Sequence, residues 1–276
     1  MKKYYSFTEA DKQAFALSAK IGIIGTISKG GLPHLTIITT LFTKGDKQLV
    51  MGQFTEGTSK TNILTEPKMS FLMLTPDKNL WRGKALWTHS LHEGEEYEMM
   101  NNIPLFRYNS YFGVHTVHYM ELVEFYGDEK LPMGSIVASS LVTKAMKPFL
   151  KPHEEERILK PWAEKLFSRL DTVKFLSYIG KDGYSVIIPV VQCQAAGSRS
   201  LVFSQLAYRG ELSMIPKNAD VALLGFNMQM ENCLVRGKYR KQKCIGCIDI
   251  NWVYNSMPPK PEQIYPPVEL KAVEDF

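Results

Sequence analysis

Leu49-Val50-Met51-Gly52-Gln53 returns later in the chain as Leu201-Val202-Phe203-Ser204-Gln205, but the loop after the first copy, Phe54-Thr55-Glu56-Gly57-Thr58-Ser59-Lys60-Thr61-Asn62, does not. Working outward, Gly31 matches Gly183 after a polar turn, and Gly45 matches Gly197 in a hairpin. Pro67-Lys68 resembles Pro216-Lys217, and Arg82-Gly83-Lys84 recurs as Arg236-Gly237-Lys238. A match of this length means a duplicated domain, not a solenoid of short units. The shorter second loop drops Thr-Ser-Lys, which predicts one working site and one scaffold copy.

The apolar runs between these landmarks are short, β-branched and bounded by turn residues, as strands are. Strands are expected at 21–28, 33–43, 48–54, 69–74, 80–88 and 114–126, and again at 173–179, 185–194, 201–205, 220–226, 233–239 and 244–254. Thr8-Glu9-Ala10-Asp11 opens a leading helix with Thr8 as N-cap, and Phe15, Leu17 and Ile21 fall on its apolar side. A short helix over 59–65 ends before Pro67, and an acidic helix over 92–101 has no second-copy equivalent. His153-Glu154-Glu155-Glu156 reads as a helix start in the connector. The expected fold is mainly β: two tandem split β-barrel domains, antiparallel and of Greek-key type, with flanking helices. Closure of this kind protects strand edges. The expected division is a first barrel over 1–130, a helical connector over 131–165, a degenerate second barrel over 166–256 and a Pro-rich tail over 257–276.

Composition narrows the function classes. The 276 residues carry a formal net charge of +5, too mild to argue for nucleic acid but compatible with a small anionic ligand. No apolar stretch reaches membrane-spanning length. The N-terminus lacks the apolar region of a signal peptide, and four cysteines make no disulfide framework in a chain of this size. A reducing, cytoplasmic setting is expected, with neither membrane nor nucleic acid as a partner.

The chemistry concentrates at Gly57-Thr58-Ser59-Lys60, between a strand and a helix. Two hydroxyls, the amides of a helix N-terminus and one ammonium make an anion seat. The competing reading is an ordinary helix start with a solvated lysine. The G-x-x-x-x-G-K-S/T spacing of a P-loop is absent.

Gly31-Leu-Pro-His-Leu-Thr36, the hairpin, Gly52-Gln53-Phe54, Thr58–Leu64, Pro67-Lys68 and Arg82-Gly83-Lys84 together resemble the flavin-binding split barrels of the pyridoxamine 5′-phosphate oxidase-like superfamily. The resemblance covers about residues 8–126, and more weakly 165–254. It implies an FMN site with the phosphate on Thr58, Ser59 and Lys60. Thr36, Ile37, Ile38 and Thr39 would lie along the ring, and Gly52 and Gln53 would complete the seat. It also implies a flavin-dependent oxidoreductase acting on a small-molecule redox substrate, and a second barrel that closes the site, within the chain as a pseudo-dimer or from a homodimer partner. Two departures stand out. The oxidase carries an arginine at the place of Thr36, and its C-terminal substrate motif has no counterpart here, so the vitamin B6 oxidase itself is not expected. The alternative is a non-enzymatic flavin- or haem-binding module. No catalytic acid or base is nominated, and His34 reads as a polar residue at a strand start.

The remaining clusters favour structure. Cys244-Ile-Gly-Cys247, with Cys193 and Cys233, lies in strand-like stretches where i and i+3 diverge, so no metal is expected. The pairs His89/His92 and His115/His118 diverge on strands in the same way. Tyr97, Met99, Met100, Phe106, Tyr108, Tyr111 and Phe112 read as core or as a pocket entrance.

Overall fold

The computed structural model describes residues 2–54, 56–104, 106, 113–149, 156–227, 229, 231–255 and 262–266. The chain divides into two compact units: Met1–Leu131 with Ile179–Ile187, and Pro132–Tyr178 with Ile188–Phe276.

The first unit begins with α1 (Glu9–Ala16), where Thr8 and Asp11 exchange capping hydrogen bonds at both backbone amides. Phe15 is fully buried, whereas Leu17, the C-cap, is exposed and Ile21 already belongs to a strand. Seven strands follow: β1 (Ile21–Ile27), β2 (Pro33–Ile38), β3 (Leu41–Lys44), β4 (Gln48–Gln53), β5 (Lys68–Leu74), β6 (Asn79–Leu91) and β7 (Thr116–Lys130). Helix α2 (Thr58–Thr65) joins β4 to β5, and α3 (Glu95–Asn102) lies between β6 and β7. The single strand expected over 33–43 is two, parted at Thr39-Thr40. Thr40 bends the chain by exchanging hydrogen bonds with Gly52, Oγ1 donating to its carbonyl at 2.7 Å.

The second unit holds α4 (Met133–Met146), α5 (Pro161–Ser168), β8 (Val173–Ile179), β9 (Ser185–Pro189), β10 (Gln194–Ala195), β11 (Ser200–Ser204), α6 (Arg209–Leu212), β12 (Asp220–Phe226), β13 (Asn232–Gln242), β14 (Ile245–Asn255) and β15 (Glu262–Tyr265). The tip of the β8–β9 hairpin is the segment grouped with the first unit. Of the helix start expected at His153–Glu156, residues 153–155 lie outside the described residues and Glu156 is not helical; most of the tail also lies outside them, and within it Glu262–Tyr265 pairs with β14.

The sheets carry the duplication. The first runs β2-β1-β5-β6-β7-β4-β3 and the second β9-β8-β12-β13-β14-β11-β10, with β15 added beside β14; the pairings throughout the first sheet, and from β8 to β10 in the second, are antiparallel. Replacing each strand of the first sheet by its counterpart reproduces the second. The marker glycines agree: φ is 74° at Gly31 and 80° at Gly183, 57° at Gly45 and 78° at Gly197, a region open to glycine at little cost. Gly83 and Gly237 sit beside register shifts where a Cβ would strike the carbonyl oxygens of Glu124 and Asp249. Both units are therefore split β-barrels with the same strand order.

Each strand alternates faces. In the first unit Leu49 and Met51 of β4, Ala85 of β6 and Met120 of β7 point into a core with Phe7, Phe15, Ile24, Ile63 and Phe71. On the other face Val50, Val117 and Tyr119 pack under Met100, Phe106 and Val114. Of the methionine and aromatic run, Met100 and Phe106 are core and Tyr97 packs against them half-buried, whereas Met99 is exposed; Tyr108, Tyr111 and Phe112 lie outside the described residues. In the second unit the corresponding outer face, Val202, Ile245 and Cys247, is covered instead by Val142 and Met146 of α4.

Candidate functional site

Helix α2 starts in an unusual way. Its N-cap is Gly57, with extended backbone and no side chain to cap the helix. No acidic residue stands in its first turn, whereas α1 has Glu9 and Asp11 there and α3 has three glutamates. The positive end of the helix instead carries Lys60, a cation where the dipole favours an anion. Lys60 is half-buried, and among the described residues its ammonium has no carboxylate or carbonyl partner. Burial alone lowers its pKa.

The helix is anchored by its other face. Ile63 is fully buried, Asn62 donates to Thr26 Oγ1 at 3.0 Å, and Ser59 is 1% exposed. Ser59 Oγ shares a short hydrogen bond with Thr36 Oγ1 of β2. This joins two of the expected site residues across the sequence and sets a hydroxyl pair beside the helix start. Thr58, the first helical residue, is half-buried.

The other nominated residues are not all brought together. Ile38 points into the core with Leu41 and Ile63, Ile37 faces the opposite side from Thr36 by strand alternation, and Thr39 is exposed beyond β2. Gly52 and Gln53 also point to opposite faces. A Cβ on Gly52 would meet Met100 Sδ at 2.8 Å and Val114 at 3.0 Å, so that glycine makes room for the cover of the outer face. Gln53 points inward with Met51.

Two residues absent from the expected set complete the site. His118 of β7 lies opposite Met51 and is 4% exposed. Its Nε2 is 2.6 Å from Gln53 Oε1, and its Nδ1 is 3.2 Å from Trp87 Nε1 of β6. Trp87, His118 and Gln53 thus form a chain across three neighbouring strands, β6-β7-β4. Burial, the Lys60 charge and His92 push the His118 pKa down to about 4, so the ring is neutral near pH 7. The signal was present in the sequence: a histidine two residues before Met120 breaks the inward apolar series.

The histidines also re-sort. His92 and His115 meet edge-on at 4.9 Å between centroids, and His89 stacks on Tyr119 at 4.5 Å, so neither H-x-x-H pair acts as a unit. His34 is buried on β2 opposite Thr26. Among the described residues no group of three or more His, Cys, Asp or Glu side chains is arranged to hold a metal. Burial raises the thiols of Cys193 and Cys233 to about 12 and that of Cys247 to about 11; Cys244 is exposed.

The second unit shows what the same fold does without this arrangement. Gln205 and Gly246 take the positions of Gln53 and His118, since Phe203 pairs with Gly246 as Met51 pairs with His118. Phe203 and Tyr239, stacked at 6.3 Å, fill the space a side chain at Gly246 would need. The Gln205 amide donates to Tyr239 Oη. The counterpart of α2 is the single turn Arg209–Leu212. The backbone amides of Ser204 and Ala207 donate to Thr143 and Ser139 of α4, at 2.8 and 2.9 Å.

No family model matches the chain, and no curated protein matches it significantly. Solved structures do. An FMN-binding protein from Syntrophomonas wolfei subsp. wolfei is 18% identical, covering 41% of this chain and 78% of its own, with a TM-score of 0.35. Group A Streptococcus HupZ is 14% identical, covering 45% and 94%, with a TM-score of 0.36. An F420 reductase is 15% identical, covering 44% and 98%, also with a TM-score of 0.35. Among the described residues no helix is long and apolar enough to cross a membrane. By its own strand order and registers, the chain is a tandem pair of antiparallel split β-barrels, and the hydroxyl–ammonium seat lies in the first.

Proposed function

We propose that the first barrel binds FMN through its phosphate and works as a flavin-dependent oxidoreductase on a small-molecule substrate. The observation that carries this reading is Lys60: a half-buried ammonium at the positive end of a helix, with no counter-charge among the described residues. An ion in that setting is costly until an anion arrives. The Thr36–Ser59 hydroxyl pair and the uncapped amides of the first turn supply the hydrogen bonds a phosphate dianion takes. These residues fit the phosphate end of the cofactor. The motif order from Gly31 to Lys84 supports the same choice of ligand.

When bound, FMN supplies the electron-transfer chemistry. The chain's own part is to bind and orient. Lys60 and Ser59 hold the anion, and Gln53 faces inward from β4, bonded to His118. His118 is buried and neutral, which suits it to positioning rather than to proton exchange.

The test is the absorption spectrum of the purified protein, followed by titration with FMN. A flavin spectrum that bleaches with a reductant and recovers in air is expected. A colourless protein that takes up no added FMN refutes the proposal, and a Soret band in its place would assign the site to haem.

A further inference from the structure

We infer that Gln53 meets its ligand as a hydrogen-bond donor of fixed polarity, with His118 and Trp87 as the positioning residues that fix it. This rests on the flavin reading for the ligand, but the polarity follows from hydrogen-bond chemistry alone.

An indole N–H can only donate. At 3.2 Å from Trp87 Nε1, His118 Nδ1 must therefore be the acceptor and carry no proton. A neutral imidazole has one ring proton, so it resides on Nε2. Nε2–H points at Gln53 from 2.6 Å and needs an acceptor there, which only the amide oxygen provides. The orientation of the Gln53 amide, usually a matter of assignment, is thereby determined. Its NH₂ group is turned away from His118, and among the described residues nothing accepts from it. Burial and the nearby Lys60 charge oppose a second proton on His118, so the polarity holds through neutral pH.

The second barrel is the internal control. Gln205 occupies the equivalent place, is 4% exposed, and donates its amide to Tyr239. Gly246 stands where His118 would, and no indole lies behind it. The duplication thus holds one glutamine whose donor is committed inside the barrel and one whose donor is left over among the described residues. The residue that matches Gln53 is an acceptor on the ligand, such as a carbonyl oxygen or ring nitrogen, at a place separate from the anion on Lys60. A ligand presenting a donor there would leave two N–H groups face to face, and this discriminates more strongly than a lost apolar contact.

The experiment has two arms. The first is the ¹⁵N spectrum of the His118 imidazole in the protein without added flavin. A protonated Nε2 and bare Nδ1 are expected; a protonated Nδ1 overturns the inference whatever the protein binds. The second compares FMN with riboflavin, which lacks the phosphate, in Trp87→Phe. Loss of the indole donor frees the tautomer, so both affinities are expected to fall by the same factor of roughly three to ten, the size of one neutral hydrogen bond. The ¹⁵N signals should shift toward a mixture. An unchanged tautomer together with unchanged affinities overturns the positioning role, as does a loss confined to FMN. If the wild-type protein binds neither flavin, the cofactor assignment fails while the first arm still decides the relay.

Discussion

Replacing Lys60 by methionine separates a ligand-binding lysine from a structural one, because the two roles predict opposite effects on the protein alone. Methionine keeps most of the apolar stem and removes the charge. Without ligand, Lys60 sits half-buried at the positive end of α2 with no counter-charge among the described residues. Removing a cation from that end relieves about 0.3–1 kcal/mol. For a unit of this size, that is about 1–3 °C in Tm, upward. With FMN present, the variant loses a charged hydrogen bond worth about 1.5–3 kcal/mol, or about 10- to 150-fold in Kd. Riboflavin, with no phosphate, should keep its affinity within about twofold. Ser59→Ala should cost less, about 1 kcal/mol, because its hydroxyl is already shared with Thr36; the double variant should lose about 2–4 kcal/mol, not strictly the sum. Thermal melts of the flavin-free protein and fluorescence titrations with both flavins measure all of this. A fall of several degrees in the flavin-free Tm, or an equal loss of FMN and riboflavin affinity, refutes the assignment of Lys60 to the phosphate.

Three further outcomes follow from other parts of the structure. Arg209→Ala, in the single-turn counterpart of α2, should leave FMN affinity unchanged within about twofold; a loss matching that of Lys60→Met contradicts a single site in the first barrel. Gly52→Ala should destabilise the protein by about 1–3 kcal/mol, since its Cβ would press on Met100 and Val114, and a denaturant melt at or above the wild-type midpoint contradicts that packing. Lys174, fully buried and donating to the carbonyls of Arg169 and Val191 at 2.5 and 3.0 Å, has a pKa lowered to about 8 by burial. Between about pH 8 and the unfolded value near 10.4 the folded state holds fewer protons than the unfolded chain, so this group makes stability rise with pH. Lys174→Met should flatten that rise, by about 3 kcal/mol over the window, and an unchanged slope in denaturant melts from pH 8 to 10 argues against a depressed pKa.

The duplication was legible because turn chemistry is local. Gly31 and Gly183, or Gly45 and Gly197, are required by the backbone angle at their own positions, so they recur at matching places and mark the strand order between them. The alternating apolar positions of β4, β7 and β11 are local in the same sense. The break at Thr39-Thr40 was not legible, because it depends on hydrogen bonds to Gly52 on another strand. Leu17 was misplaced because the helix ends one residue earlier than its apolar spacing suggests.

The site divides along the same line. The proposed anion seat is local and so can be read from the chain alone: Thr58-Ser59-Lys60 opens a helix in one copy and is missing from the other, and hydroxyls, helix amides and an ammonium at consecutive positions need no distant residue to define them. Which residues are brought to that seat depends on packing between elements far apart in the chain. Thr36 reaches Ser59 through the packing of α2, while Ile37 and Thr39, its neighbours in sequence, do not. His118 and Trp87 belong because antiparallel registers place β6, β7 and β4 side by side with the same face inward, and because hydrogen bonds between those strands fix each proton. A proton's position depends on both of its partners, and no single stretch of chain contains both.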